Sequence, residues 1–97
     1  MTCGFHPLAT RELTDAAQFY KARSPGLGSR FLDEVERVLA LLQSYPEVGR
    51  PTAVGIRAFP TRRFPYSVVY RLPADELQVV ALAHHRRRPF YWTARTG

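Results

Sequence analysis

The sequence predicts an α+β domain: an α-helical hairpin packed on one face of an antiparallel sheet of three to four strands, in the order β-α-α-β-β-β. Three observations predict it. Two stretches in the first half repeat their apolar residues at helical spacing. Two runs near the C-terminus are dense in β-branched and aromatic residues. A segment holding two prolines and two glycines, Tyr45 to Gly55, separates the two kinds. Ninety-seven residues with 45% hydrophobic content make one domain, residues 1–97, because only much longer chains split into several cores.

Cys3 to Leu8 reads as a first strand anchored by Phe5 and ended by Pro7. From Ala9 to Arg23, Leu13, Ala16, Ala17 and Tyr20 fall at i, i+3, i+4 and i+7, one face of an amphipathic helix starting near Ala9 or Thr10. Glu12 and Asp15 in its early turns and Lys21 and Arg23 in its last suit the helix dipole. Ser24 then offers an N-cap and Pro25 a first position for a second helix, which runs to about Ser44 with Phe31, Val35, Val38, Leu39 and Leu42 as its apolar stripe. So short a link implies an antiparallel pair.

Tyr45 to Gly55 reads as loop. Ile56 to Arg63 is a strand that Pro60 confines to an edge or a bulge. Tyr66 to Leu72 and Leu77 to His84 are strong strands joined by a turn at Pro73 to Glu76. Counting reversals leaves the fourth strand antiparallel to the first, so the sheet is expected to be wholly antiparallel. Strict alternation points Leu77, Val79, Ala81 and Ala83 one way and Val80 and Leu82 the other. Two helices cover one face only, so the second needs another cover. Either the tail Arg86 to Gly97, with its Phe90-Tyr91-Trp92 knot, folds back on it, or a partner chain does.

The charge is unevenly placed. Residues 1–56 carry six cations and six anions, whereas residues 57–97 carry eight arginines against Asp75 and Glu76, which is the whole net charge of +6. Thirteen of the 14 cations are arginine, whose planar fork suits phosphate and carboxylate partners; the alternative is a merely solvated face. No apolar run approaches the ~20 residues of a membrane span, no secretory signal is evident, and a lone Cys3 offers no disulfide. The expectation is a cytoplasmic protein without cofactor, metal, membrane or small-molecule substrate.

The densest chemistry lies in Ala83 to Trp92, AHHRRRPFYW, where basic and aromatic residues interleave as on a nucleic-acid surface, and Arg62 and Arg63 extend it. His84 and His85 are neighbours on a strand and face opposite ways, so they do not chelate a metal together. One histidine can serve as a general base; a structural histidine is the alternative. Gly26-Leu27-Gly28 follows no strand and is a turn rather than a phosphate loop.

Tyr20, Gly26-Leu27-Gly28, Arg30-Phe31, Pro46, Gly49-Arg50-Pro51, Ile56-Arg57, Arg63-Phe64-Pro65-Tyr66, Val69-Tyr70, His84-x-Arg86-Arg87 and Pro89-x-Tyr91-Trp92 together resemble the RelE/ParE superfamily of type II toxin–antitoxin toxins, over about Phe5 to Arg95. The resemblance implies a small α+β toxin neutralised by a cognate antitoxin in a hetero-oligomer. It implies one of two targets. ParE-like members inhibit DNA gyrase without being nucleases; RelE-like members cleave messenger RNA at the ribosome. The mid-chain and tail motifs are more similar to the ParE-like branch, which favours gyrase binding, with Arg57, Arg62, Arg63, Arg86, Arg87, Tyr91 and Trp92 as target-binding residues. RelE-like sites use lysines, and the only lysine here is Lys21 on the first helix. Were the chain a ribonuclease, His84 or Tyr91 would move the proton beside Arg62, Arg63 and Arg87, since arginine is not a base. A non-toxic basic nucleic-acid-binding module is the third reading.

Overall fold

A computed structural model describes residues 1–96; Gly97, the last residue of the expected tail, lies outside the described residues. The elements are β1 (Thr2–Phe5), α1 (Pro7–Arg23), α2 (Leu27–Ser44), β2 (Arg50–Ala53), β3 (Ile56–Pro60), β4 (Tyr66–Arg71) and β5 (Glu76–His84), then a single 3-10 turn, Thr93–Arg95. The helical hairpin on one sheet face and the α+β class are as the sequence predicts.

Both helices start at other residues than expected, for capping reasons. His6 caps α1, its Nδ1 accepting from Leu8 N at 3.1 Å, and Pro7 takes the first helical position rather than closing the strand. At α2 the cap is Gly26, in the left-handed conformation at φ 79°, so Ser24 and Pro25 stay in the turn. From Leu27 onward α2 buries Phe31, Val35, Val38 and Leu42, as the apolar spacing requires.

The sheet has five strands in the order β1-β5-β4-β3-β2, and it is mixed, not wholly antiparallel. β1 runs parallel to β5, Thr2 opposite Glu76 and Phe5 opposite Val79. The extra strand is Arg50–Ala53, inside the stretch expected to be loop, and it pairs antiparallel with β3. Its hairpin adds one reversal of chain direction, which turns the last strand from antiparallel to parallel with the first. Pro60 is tolerated within the sheet because β2 reaches only Ala58, so no neighbour on that side asks for its missing N–H.

A β-bulge also breaks the expected alternation of β5. Val69 pairs with Ala81 but Tyr70 pairs with Val79, leaving Val80 as the additional residue. Leu77, Val79 and Leu82 therefore join the helix-side core with Phe31, Val38, Leu42, Val68 and Tyr70. Val80 and Ala81, with Ala83 beside them, go to the other face with Ile56 and Val69. That face is covered by the chain's own tail: Trp92, 5% exposed, packs on Ile56, Val69, Val80 and Ala81. Of the two covers open to the sequence, the tail supplies this one.

Candidate target-binding site

The tail is positioned by α1. Glu12 Oε2 accepts from the Tyr91 hydroxyl at 2.7 Å, and the Arg95 guanidinium donates to both Glu12 oxygens at 2.8 and 3.0 Å. The same groups serve the stretch of β5 that lies beyond its pairing with β1. Leu82 N donates to Glu12 Oε1 at 3.1 Å, and Arg95 Nη1 donates to Val80 O at 3.1 Å. Burial alone would raise the Glu12 carboxyl, but hydrogen bonds from Arg95, Tyr91 and Leu82 outweigh it and hold it below the usual carboxylate range. Burial, reinforced by the Glu12 carboxylate, pushes the Tyr91 hydroxyl well above an ordinary tyrosine. Arg87 lies over the Tyr91 ring, 3.9 Å from its centroid.

So anchored, the tail leaves a groove of about 390 Å³ on the second sheet face. Arg50, His84, His85 and Arg87 supply its basic side, Ser67 and Thr52 its hydroxyls, and Phe90 and Trp92 its aromatic wall. Among the described residues no acidic side chain lines it. His85 Nε2 and Ser67 Oγ share a hydrogen bond at 2.9 Å, and His84 Nδ1 accepts from Arg86 N at 3.0 Å. The lining is therefore basic and aromatic, with hydroxyls between.

The structure divides the residues that the sequence grouped. His84, Arg87 and Trp92 line this groove, while Tyr91, bound to Glu12, joins His84 and Arg87 in a small pocket of about 280 Å³ against α1. Arg62 and Arg63 share the same end of the sheet, since Pro60 pairs with Ser67 and Tyr66 with His84, yet they line a separate cleft against α2. Arg57 is occupied in holding a loop, its Nη1 donating to Glu47 O at 3.0 Å and Gly49 O at 2.8 Å. Arg86 is exposed at the start of the tail and lines neither depression. Arg50, Ser67, Glu12 and Arg95 were missed. In sequence Arg50 reads as loop, and Glu12 as an acid that matches the dipole of the first helix. Nothing local in sequence marks a partner 79 or 83 residues away.

Residues 4–89 match the family described as ParE toxin of type II toxin-antitoxin system, parDE. The chain belongs to the ParE toxin family. Among solved structures the ParE-like fold recurs in a chain described as "Chromosomal ParDE TA system from P. aeruginosa". That chain is 20% identical, with a TM-score of 0.64 over 87% of this chain and 95% of that one. None of the curated proteins matches. The ParE family match ends before Tyr91, Trp92 and Arg95, the residues that fasten the tail. Among the described residues no helix is long and apolar enough to cross a membrane, and no cluster of His, Cys, Asp and Glu is placed to hold a metal.

Proposed function

We propose that this ParE-family toxin acts in the cytoplasm by binding and inhibiting DNA gyrase, and that a cognate antitoxin neutralises it. The observation that carries a binding rather than a cleaving role is the Tyr91–Glu12 hydrogen bond at 2.7 Å. Cleavage of RNA needs a group that gives up and takes back a proton near neutral pH. Tyr91 instead holds its proton tightly beside a carboxylate, and Lys21 sits on α1 away from the groove. The acid-free groove between Arg50, Arg87 and Trp92 suits an acidic, amphipathic segment of the antitoxin, with its carboxylates on the arginines and its apolar side on Phe90.

A supercoiling assay with purified gyrase tests the target. Concentration-dependent loss of supercoiling, restored by the antitoxin, is expected; full supercoiling at excess toxin rejects gyrase. The RelE-like reading is favoured by one feature, His84, Arg87 and Tyr91 lining one pocket against α1. It requires ribosome-dependent message cleavage that His84→Ala abolishes, and intact transcripts after induction reject it.

A further inference from the structure

A second depression, of about 460 Å³, opens between the first turns of α2 and the turn joining β3 to β4. Arg30, Arg62 and Arg63 line it together with Leu27 and Phe64, and Asp33, Glu34 and Arg37 complete the lining. Its volume lies within the ~300–1,000 Å³ typical of small-ligand sites. Glu34 is fully engaged: Arg37 Nε and Nη2 donate to its two oxygens, each at 2.8 Å, and Arg62 N donates to Oε2 at 2.5 Å. The ion pairs among the described residues are Arg37–Glu34 and Arg95–Glu12. Neither ion pair involves Arg30, Arg62 or Arg63, which line the cleft.

The turn that presents two of them is rigid. Thr61, 8% exposed, donates through its backbone N–H to Tyr66 O at 2.9 Å, and its hydroxyl lies 2.9 Å from Phe64 O. Tyr66 N closes the turn onto Phe64 O at 2.8 Å. Arg63 adopts φ 67°, an unusual conformation for a residue with a side chain. The four arginines of the cleft outnumber Asp33 and Glu34, which leaves it net positive, and a turn fixed beforehand lowers the entropy cost of binding an anion there.

We propose that this cleft binds the phosphodiester groups of a nucleic-acid strand. Arginine forks match phosphate oxygens in pairs. The two carboxylates in the same cleft argue against an all-acidic peptide, which Asp33 would repel. A nucleotide instead brings an anion for the arginines, N–H donors on its base edge for Asp33, and an apolar ring for the Leu27 and Phe64 lining. The cleft shares no lining residue with the sheet groove, so its ligand is separate from whatever occupies that groove.

The test is fluorescence anisotropy of a short, labelled, mixed-sequence single-stranded oligonucleotide at low salt. The variants compared are Arg30→Ala/Arg63→Ala and the charge-matched Arg11→Ala/Arg23→Ala, exposed on α1 and outside both depressions. The cleft variant is expected to bind about tenfold more weakly and to lower the salt slope by about 0.7 for each lost contact, with the α1 variant changed less than about twofold. All four arginines are exposed, so folding is retained, and matching melting curves verify it. Equal losses in the two variants, or no binding by the parent protein, overturn the proposal. Displacement by pyrophosphate at matched phosphate concentration assigns the cleft to free phosphate and overturns the nucleic-acid source.

Discussion

The Tyr91 hydroxyl donates to Glu12 across 79 residues of sequence, at 2.7 Å, and with Arg95 it fastens the C-terminal tail to the first helix. Through that contact α1 sets where Arg87, Phe90 and Trp92 stand on the opposite side of the sheet. Removing the carboxylate leaves the Tyr91 hydroxyl and Leu82 N without their acceptor and the Arg95 guanidinium with Val80 O alone. Glu12→Ala is expected to cost about 1.5–3 kcal/mol in chemical denaturation. Glu36→Ala, on the exposed side of α2, is expected to stay within about 0.5 kcal/mol. Equal losses in the two variants would show that Glu12 does not latch the tail.

The acid limb of stability should report the same carboxylate. Glu12 and Glu34 both titrate below the ordinary range, Glu12 through Arg95, Tyr91 and Leu82 against its burial, and Glu34 chiefly through Arg37. A depressed folded-state value means that the native protein binds fewer protons than the unfolded chain. Their contribution is therefore complete above the unfolded glutamate pKa of about 4.3 and is lost as pH falls through the folded-state values. In a melting-temperature series, Glu12→Gln should flatten the decline below about pH 4.3 relative to the parent. An unchanged acid limb would show that Glu12 is not depressed in the folded protein.

Trp92 is the cover of the second sheet face, and its loss should be felt twice. Trp92→Ala is expected to destabilise the fold by about 3–5 kcal/mol, the usual cost of truncating a buried aromatic. It also bares Ile56, Val69, Val80 and Ala81, so light scattering should show self-association that the parent lacks. A stable, monomeric variant would show that the tail does not seal this face.

The loop before β2 is held by the Arg57 guanidinium and by one phenol. The Tyr70 hydroxyl donates to Pro46 O at 2.7 Å and accepts from Gly49 N at 3.0 Å. A Cβ on Gly49 would overlap that oxygen. Gly49→Ala must therefore displace Tyr70 or the loop, and Tyr70→Phe leaves a buried N–H unpaired, at about 1–3 kcal/mol. Additivity of the two substitutions in a double-mutant cycle would show that they do not share this contact.

By itself the sequence determined the class, the helical hairpin and the two central strands. Apolar spacing at Phe31, Val35, Val38 and Leu42 admits one helix face, and runs such as Tyr66 to Leu72 fit a half-buried pleat. Family membership was legible too, because Gly49-Arg50-Pro51 and Arg63-Phe64-Pro65-Tyr66 are local strings. The tertiary structure decided what depends on pairing and distance. Arg50–Ala53 becomes a strand only because β3 lies beside it, and its proline and bulge hide any period of two. The extra residue Val80 reverses the facing of Ala81 and Leu82, since alternation runs correctly only until the ladder slips. The arginines formed one group in the sequence, but the fold sends Arg87 to the sheet groove, Arg62 and Arg63 to the α2 cleft and Arg57 to a loop. Side-chain direction is set by the twist and end of the strand that carries each residue, and composition holds no record of either.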